Sequence, residues 1–204
     1  MFIDNTSKYV TQEKMLGDWQ MDLRTQKIYD ALIEACEELL KHKSFEEITV
    51  SELCEKARTR RATFYSHFSD KYEFLSFMVG HIRDQMYQEV EEVSETGSPI
   101  QYCHALIDVG LDFVEQNHSI LESLQNSAVG AGILTTVSDR LNKSRIESAP
   151  DDSRIPTAFR DEVTAEFFVG ALNQCSRWWI SHRNQISKKE MKEKLYRLCD
   201  RIFA

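Results

Sequence analysis

The sequence predicts an all-α fold, on the strength of its composition, its periodicity and its caps. Seven glycines and three prolines punctuate 204 residues, fewer than a turn-rich fold needs. Apolar side chains recur at three- and four-residue spacing through most of the chain, the period of a helix with one buried face. Hydroxyl residues followed three positions later by glutamate, at Thr49/Glu52, Ser119/Glu122 and Ser187/Glu190, mark helix starts as capping boxes. A chain of this length suits one or two domains and buries a sizeable core.

Residues 1–22 show no clear period and are expected to be a flexible N-terminal extension. A first compact unit follows over 23–70. Its first helix is predicted over Arg24–Lys43, where Ile28, Ala31, Leu32, Ala35, Cys36, Leu39 and Leu40 form one stripe, and Phe45 and Ile48 close its core. Thr49 and Glu52 then cap a second helix, with Ile48 and Leu53 placed as a hydrophobic staple. Val50, Leu53, Cys54 and Ala57 make that helix apolar on one face. Only Ala57 to Arg60 separate it from a third, short helix opened by Thr59 or Arg60. Ala62, Phe64 and Phe68 point inward on this helix, which leaves Arg60, Arg61, Thr63, Tyr65 and His67 facing out. Two short helices at a tight turn, the second bearing basic and polar side chains, form a helix-turn-helix whose second helix enters a DNA major groove.

The run Thr49-Val50-Ser51-Glu52-Leu53, then Ala57, then Arg61-Ala62-Thr63-Phe64-Tyr65-Ser66-His67-Phe68-Ser69-Asp70-Lys71 resembles the DNA-binding segment of the TetR family of transcriptional regulators. The resemblance spans about fifty residues, Arg24 to Leu75. It departs from the family at two places, since glycine usually stands at Arg58 and a small hydroxylated cap at Arg60. An arginine in the left-handed turn costs about 1 kcal/mol relative to glycine. Either the turn is reshaped, with Thr59 capping, or the two arginines gain phosphate contacts that offset the strain.

The remaining residues, 71–204, are expected to be a helical ligand-binding and dimerisation domain. Ser69 or Asp70 caps a long helix reaching towards Ser94, with Tyr72, Leu75, Met78, Val79, Ile82, Met86 and Val90 buried, which links the reader to the second half. Thr96-Gly97-Ser98-Pro99 breaks the chain, and Pro99 suits the first turn of the next helix. Ser119/Glu122 opens a short helix, Gly130-Ala131-Gly132 marks a loop before a helix over 133–146, and 148–157 is a polar connection. Phe159–Ser181 is apolar on more than one side, and Ser187/Glu190 opens a final striped helix. This last pair is predicted to form a two-fold four-helix dimer interface, as the resemblance also implies, through Phe167, Gly170, Ala171, Gln174, Trp178, Leu195, Leu198 and Ile202.

The net charge of −8 sits outside the reader: residues 24–71 hold nine Lys/Arg and nine Asp/Glu, the rest 16 and 24. An acidic body discourages non-specific attachment to DNA. Five cysteines, Cys36, Cys54, Cys103, Cys175 and Cys199, show no metal-ligand spacing, and as small buried hydrophobes they suit a reducing cytoplasm. No signal peptide or membrane-spanning run is legible, and no catalytic or cofactor motif is present, so the chain is read as a cytoplasmic non-enzyme without cofactor or metal. Arg58, Arg60, Arg61 and Thr63 are assigned to bases or nearby phosphates, and Thr49, Tyr65, His67 and Lys71 to phosphates, with Ser51 beside them. Met78, His81, His104, Phe113, Phe159, Phe167 and Trp178 are the candidates for a cavity holding a small organic, partly apolar effector. The expected partners are double-stranded DNA and a second copy of the chain. The competing reading is a TetR-like adaptor or coactivator that binds a partner regulator instead of DNA.

Overall fold

The computed structural model describes residues 23–93, 98–136 and 155–203, and every regular element among them is helical. The extension over 1–22, the break at Thr96-Gly97 and most of the connection over 148–157 lie outside the described residues. Helix α1 spans Leu23–Leu40 and buries Leu32, Ile33, Ala35, Cys36 and Leu40. It stops three residues short of the predicted end, because the amides of His42 and Lys43 both turn back onto the Leu39 carbonyl. A 3-10 turn over Phe45–Glu47 leads into α2, Val50–Lys56, and α3, Arg61–His67.

Helix α4 runs Lys71–Val93, about 35 Å at 1.5 Å per residue. Asp70 caps it, accepting from the amides of Tyr72 at 2.8 Å and Glu73 at 2.9 Å. The buried side of its first turns is Phe74, Leu75, Met78 and Val79; Tyr72, expected inside, is exposed. These four residues join Leu32, Phe45, Ile48, Leu53, Phe64 and Phe68 in one core, to which Ile120 and Leu124 also contribute. The floor under α3 is therefore built partly from residues beyond position 70.

Helix α5, Pro99–Asn126, is the central element and packs on α4 and on the helices over Glu162–His182 and Lys188–Phe203. Ser98 caps it and Pro99 opens it as predicted. It bends at Asn117, whose Nδ2 donates to the Phe113 carbonyl at 3.0 Å. The helix continues through the bend, so Ser119 lies inside it and caps nothing. The break comes at Ser127, after which residues 128–136 form α6. Gly130 and Gly132, expected in a loop, lie within α6. Gly130 is required there because a Cβ would stand 2.6 Å from the Leu124 carbonyl oxygen. Its amide donates to the Ser127 hydroxyl oxygen at 2.8 Å, and that hydroxyl donates to the Glu46 carboxylate of the 3-10 turn. The elbow between α5 and α6 is thus tied to the segment preceding α2.

Helix α7, Glu162–His182, is capped by Asp161, and α8, Lys188–Phe203, by the Ser187/Glu190 box. The Trp179 indole closes their connection by donating to the Ile186 carbonyl at 3.0 Å. A second core gathers Tyr102, Cys103, Ile107, Leu111, Phe159, Phe168, Trp179, Leu195 and Cys199. Cys103 and Cys199 are joined by a disulfide that fastens α5 to α8, where the sequence reading took every cysteine as a free thiol. Cys36 and Cys54 remain free and buried.

Candidate functional site

The capping box of α2 forms as its spacing predicts. The Thr49 amide and hydroxyl both donate to Glu52 Oε2, at 2.9 and 2.8 Å, and the Glu52 amide donates back to Thr49 Oγ1 at 3.2 Å. The Glu52 carboxyl is held down to about 2, first by the hydrogen bond from the Lys43 ammonium and then by those from Thr49. With both ends of its first turn fixed, α2 presents Thr49 and Ser51 on the exposed side and buries Leu53 and Cys54.

The turn after α2 resolves the question of the two departures. Arg58 takes φ 50°, a left-handed conformation, and is the one non-glycine residue with positive φ among the described residues. The Thr59 amide donates to the Cys54 carbonyl at 2.9 Å and the Arg58 amide to the Glu55 carbonyl at 3.1 Å. This is the Schellman pattern, whose left-handed position favours glycine. The turn therefore keeps its shape and the arginine is forced into it. Arg60, not Thr59, is the N-cap of α3, and its side chain makes no capping bond. Arg58→Gly is expected to raise unfolding stability by about 1 kcal/mol, measured by urea denaturation.

Helix α3 is held by aromatic packing. Phe64 is fully buried and Phe68 4% exposed, with ring centroids 5.4 Å apart and both within 6.0 Å of Phe74. Arg60, Arg61, Tyr65 and Ser66 face solvent, and so does Ala62, which was expected inside; Thr63 is half-buried. The Arg61 guanidinium lies 5.9 Å from the Tyr65 ring centroid, close enough for a cation–π contact. The outward surface thus carries two arginines, a phenol and small hydroxyl groups, the groups that bind base edges and phosphates.

Two residues assigned to phosphates have internal partners. The Lys71 ammonium donates to the carbonyls of Phe45 at 3.1 Å, Glu46 at 2.7 Å and Ile48 at 2.8 Å. A lysine has three donors, so all are spent on the segment before α2, and Lys71 is a clamp rather than a phosphate contact. His67 Nδ1 lies 3.2 Å from the Tyr29 hydroxyl, its ring edge-on to Tyr29, which ties the end of α3 to α1. Tyr29 was not singled out in the sequence, although it falls one position from Ile28 on the stripe of α1.

The residues assigned to an interface separate by exposure. Phe167, Trp178, Leu198 and Ile202 are 59%, 45%, 52% and 50% exposed, and Val163 is 76% exposed. Gly170, Ala171 and Gln174 are exposed between them on α7. Leu195 does not belong with this group: it is 7% exposed and sits in the second core.

A cavity of about 230 Å³ opens between α4, α5, α6 and α7. Of the seven residues assigned to it, Phe113 alone lines it. Met78 is instead in the core beneath α3, and Phe159 packs among Tyr102, Phe168 and Phe203. His81 stacks on Phe77 and meets Gln85. His104 lies flat on Tyr196, ring centroids 3.7 Å apart, with Asp200 at 2.9 Å, on the α5–α8 side. Phe167 and Trp178 face outward. The residues missed were Met86, Val90, Leu106, Leu121 and, on the same stripe of α4, Arg83. Among the described residues no group of His, Cys, Asp and Glu could hold a metal ion, and no helix is long and apolar enough to cross a membrane.

Residues 32–76 match the family model described as bacterial regulatory proteins, tetR family. The fold is similar to that of solved TetR-family structures. A transcriptional regulator from Rhodococcus sp. Rha1 superposes with a TM-score of 0.61 at 15% identity, over 85% of this chain and 95% of that one. A tetR-family transcriptional regulator from Streptomyces coelicolor gives 0.58 at 15% identity, over 89% and 82%. The fatty acid degradation regulator FadR from Bacillus halodurans gives 0.57 at 15% identity, over 88% and 96%. No curated protein matches the chain.

Proposed function

We propose that this chain, which carries a TetR-family helix-turn-helix domain at its N-terminus on the family's all-helical fold, is a dimeric, effector-responsive repressor of transcription. The observation that carries the reading is the outer face of α3. Phe64 and Phe68 anchor the helix so firmly that Arg60, Arg61 and Tyr65 are presented together to solvent. Arg60, Arg61 and Thr63 are assigned to base edges, and Thr49, Ser51, Arg58 and Tyr65 to the flanking phosphates. His67 joins the phosphate set through the end of α3 that Tyr29 steadies. Two copies related by a two-fold axis would set two α3 helices roughly 34–36 Å apart on a palindrome.

The exposed stripe of Phe167, Gly170, Ala171, Gln174 and Trp178 on α7, with Leu198 and Ile202 on α8, supports dimerisation. Large apolar side chains gathered on one face of a soluble chain mark an association surface, and the small residues between them let a partner helix approach. The cavity supports effector control. A ligand that favours a conformation with the wrong reader spacing lowers operator affinity by its differential binding energy and no more. The adaptor reading drew on Arg58 and Arg60, and both are accommodated without disturbing the outer face of α3, which favours DNA as the partner.

The test is a shift assay on a palindromic operator across a salt series. Binding should weaken steeply as salt rises. Arg61→Ala should lose about 1–3 kcal/mol on the operator and relax discrimination at one base position, with folding unchanged by circular dichroism. Binding that is indifferent to salt and to Arg61 would remove the DNA reading.

A further inference from the structure

Arg83 stands on a face of α4 that Val79, Met86 and Val90 otherwise keep apolar. One arm of its guanidinium, Nη2, donates to Asn173 Oδ1 on α7 at 3.1 Å. Its Nε is buried and has no hydrogen-bond partner among the described residues. An unspent buried donor is costly, and a guanidinium cannot shed its proton to relieve the cost. What completes it is an acceptor, and an anionic oxygen is the strongest one.

Arg83 lines the cavity of about 230 Å³. The rest of the lining is mostly aliphatic, with Leu106, Phe113 and Leu121 among its walls, and no aspartate or glutamate belongs to it. Two guanidiniums line this apolar volume: Arg177 donates to Gln174 Oε1 on its own helix, and Arg83 is the one that keeps a buried donor unspent. An apolar cavity of about 150 Å³ admits benzene, so this one has room for a somewhat longer hydrocarbon.

We propose that the cavity takes a small carboxylic acid, its hydrocarbon body among Leu106, Phe113 and Leu121 and its carboxylate on Arg83. The proposal rests on the reading of this cavity as the effector site and adds the chemical class of the effector. A carboxylate accepting from Arg83 Nε joins a guanidinium whose Nη2 already holds Asn173, so the ligand bears on the tie between α4, which leads to the reader, and α7, which carries the association stripe.

Isothermal titration of the full chain with octanoate, octanol and octylamine tests it, since the three share one hydrocarbon body. Octanoate should bind roughly tenfold to a hundredfold more tightly than octanol, and octylamine most weakly. Arg83→Gln should bring octanoate down to the level of octanol while leaving octanol itself unchanged. Asn173→Asp gives a second arm that keeps the packing volume and hands Arg83 an internal carboxylate; it should erase the octanoate advantage as well. Equal or tighter binding of octanol or octylamine, an octanoate advantage that survives Asn173→Asp, or no saturable octanoate binding at millimolar concentration would each overturn the proposal. Operator release read in parallel separates the two levels. Octanoate bound through Arg83 without loss of operator affinity sustains the carboxylate site and defeats the effector reading. Octanol releasing the operator as well as octanoate does the reverse.

Discussion

Phe64→Ala should destabilise the chain by about 3–5 kcal/mol and abolish operator binding, the largest loss expected of any single truncation in the reader. Phe64 is fully buried and touches Tyr65, Phe68 and Phe74 by ring contact. Helix α3 has only seven residues, too few to persist without tertiary support. Removing the ring leaves a void beneath the helix that its neighbours cannot close, and the outward arginines lose their platform. Tyr65→Ala provides the contrast, because Tyr65 is 48% exposed. It should stay within about 0.5 kcal/mol of the parent in stability while weakening DNA across all sequences. Urea denaturation alongside a shift assay reads both. A Phe64→Ala protein that melts with the parent and still binds would show that α3 is supported in some other way.

Phe167→Glu should turn the protein into a folded monomer and lower operator affinity by roughly a hundredfold or more, the advantage that a tethered second half-site confers. In the single chain Phe167 is 59% exposed, so a carboxylate there is solvated and costs little. In a dimer through α7 the same carboxylate is buried without a partner, which is strongly unfavourable. Sedimentation equilibrium at micromolar concentration reads the assembly and circular dichroism the fold. An unchanged dimer would move the association surface elsewhere; a dimer lost together with the fold would mean that Phe167 supports the monomer itself.

Local chemistry was the legible part of this chain. The boxes at Thr49/Glu52 and Ser187/Glu190 form because a cap is decided within four residues, and the two-phenylalanine anchor of α3 follows from spacing alone. The same local rule misled at Ser119, where the helix runs on through a bend at Asn117, and at Gly130, whose missing Cβ serves a close approach to Leu124 within a helix. Tyr72 and Ala62 were placed inward by period, but each is exposed, and the buried face begins two positions later, at Phe74 and Phe64. The cavity was the least legible feature, since it is the space that four helices fail to fill, and no stripe distinguishes a lining residue from a core one. Met78 and Phe113 look alike in sequence and end in different places. Arg83 did carry a signal: a charged residue four positions after Val79 and three before Met86 interrupts an apolar stripe.

The three carbonyls gripped by Lys71 have a mechanical consequence. They splice the first turn of α4 to the backbone that leads into α2, so α4 cannot swing without carrying α2 and α3 along as cargo. Whatever pushes on the far end of that lever, the reading head keeps its own contour. In the proposed dimer, two such heads would change their pitch on the double helix, widening or narrowing like the points of a divider, while each point stays sharp.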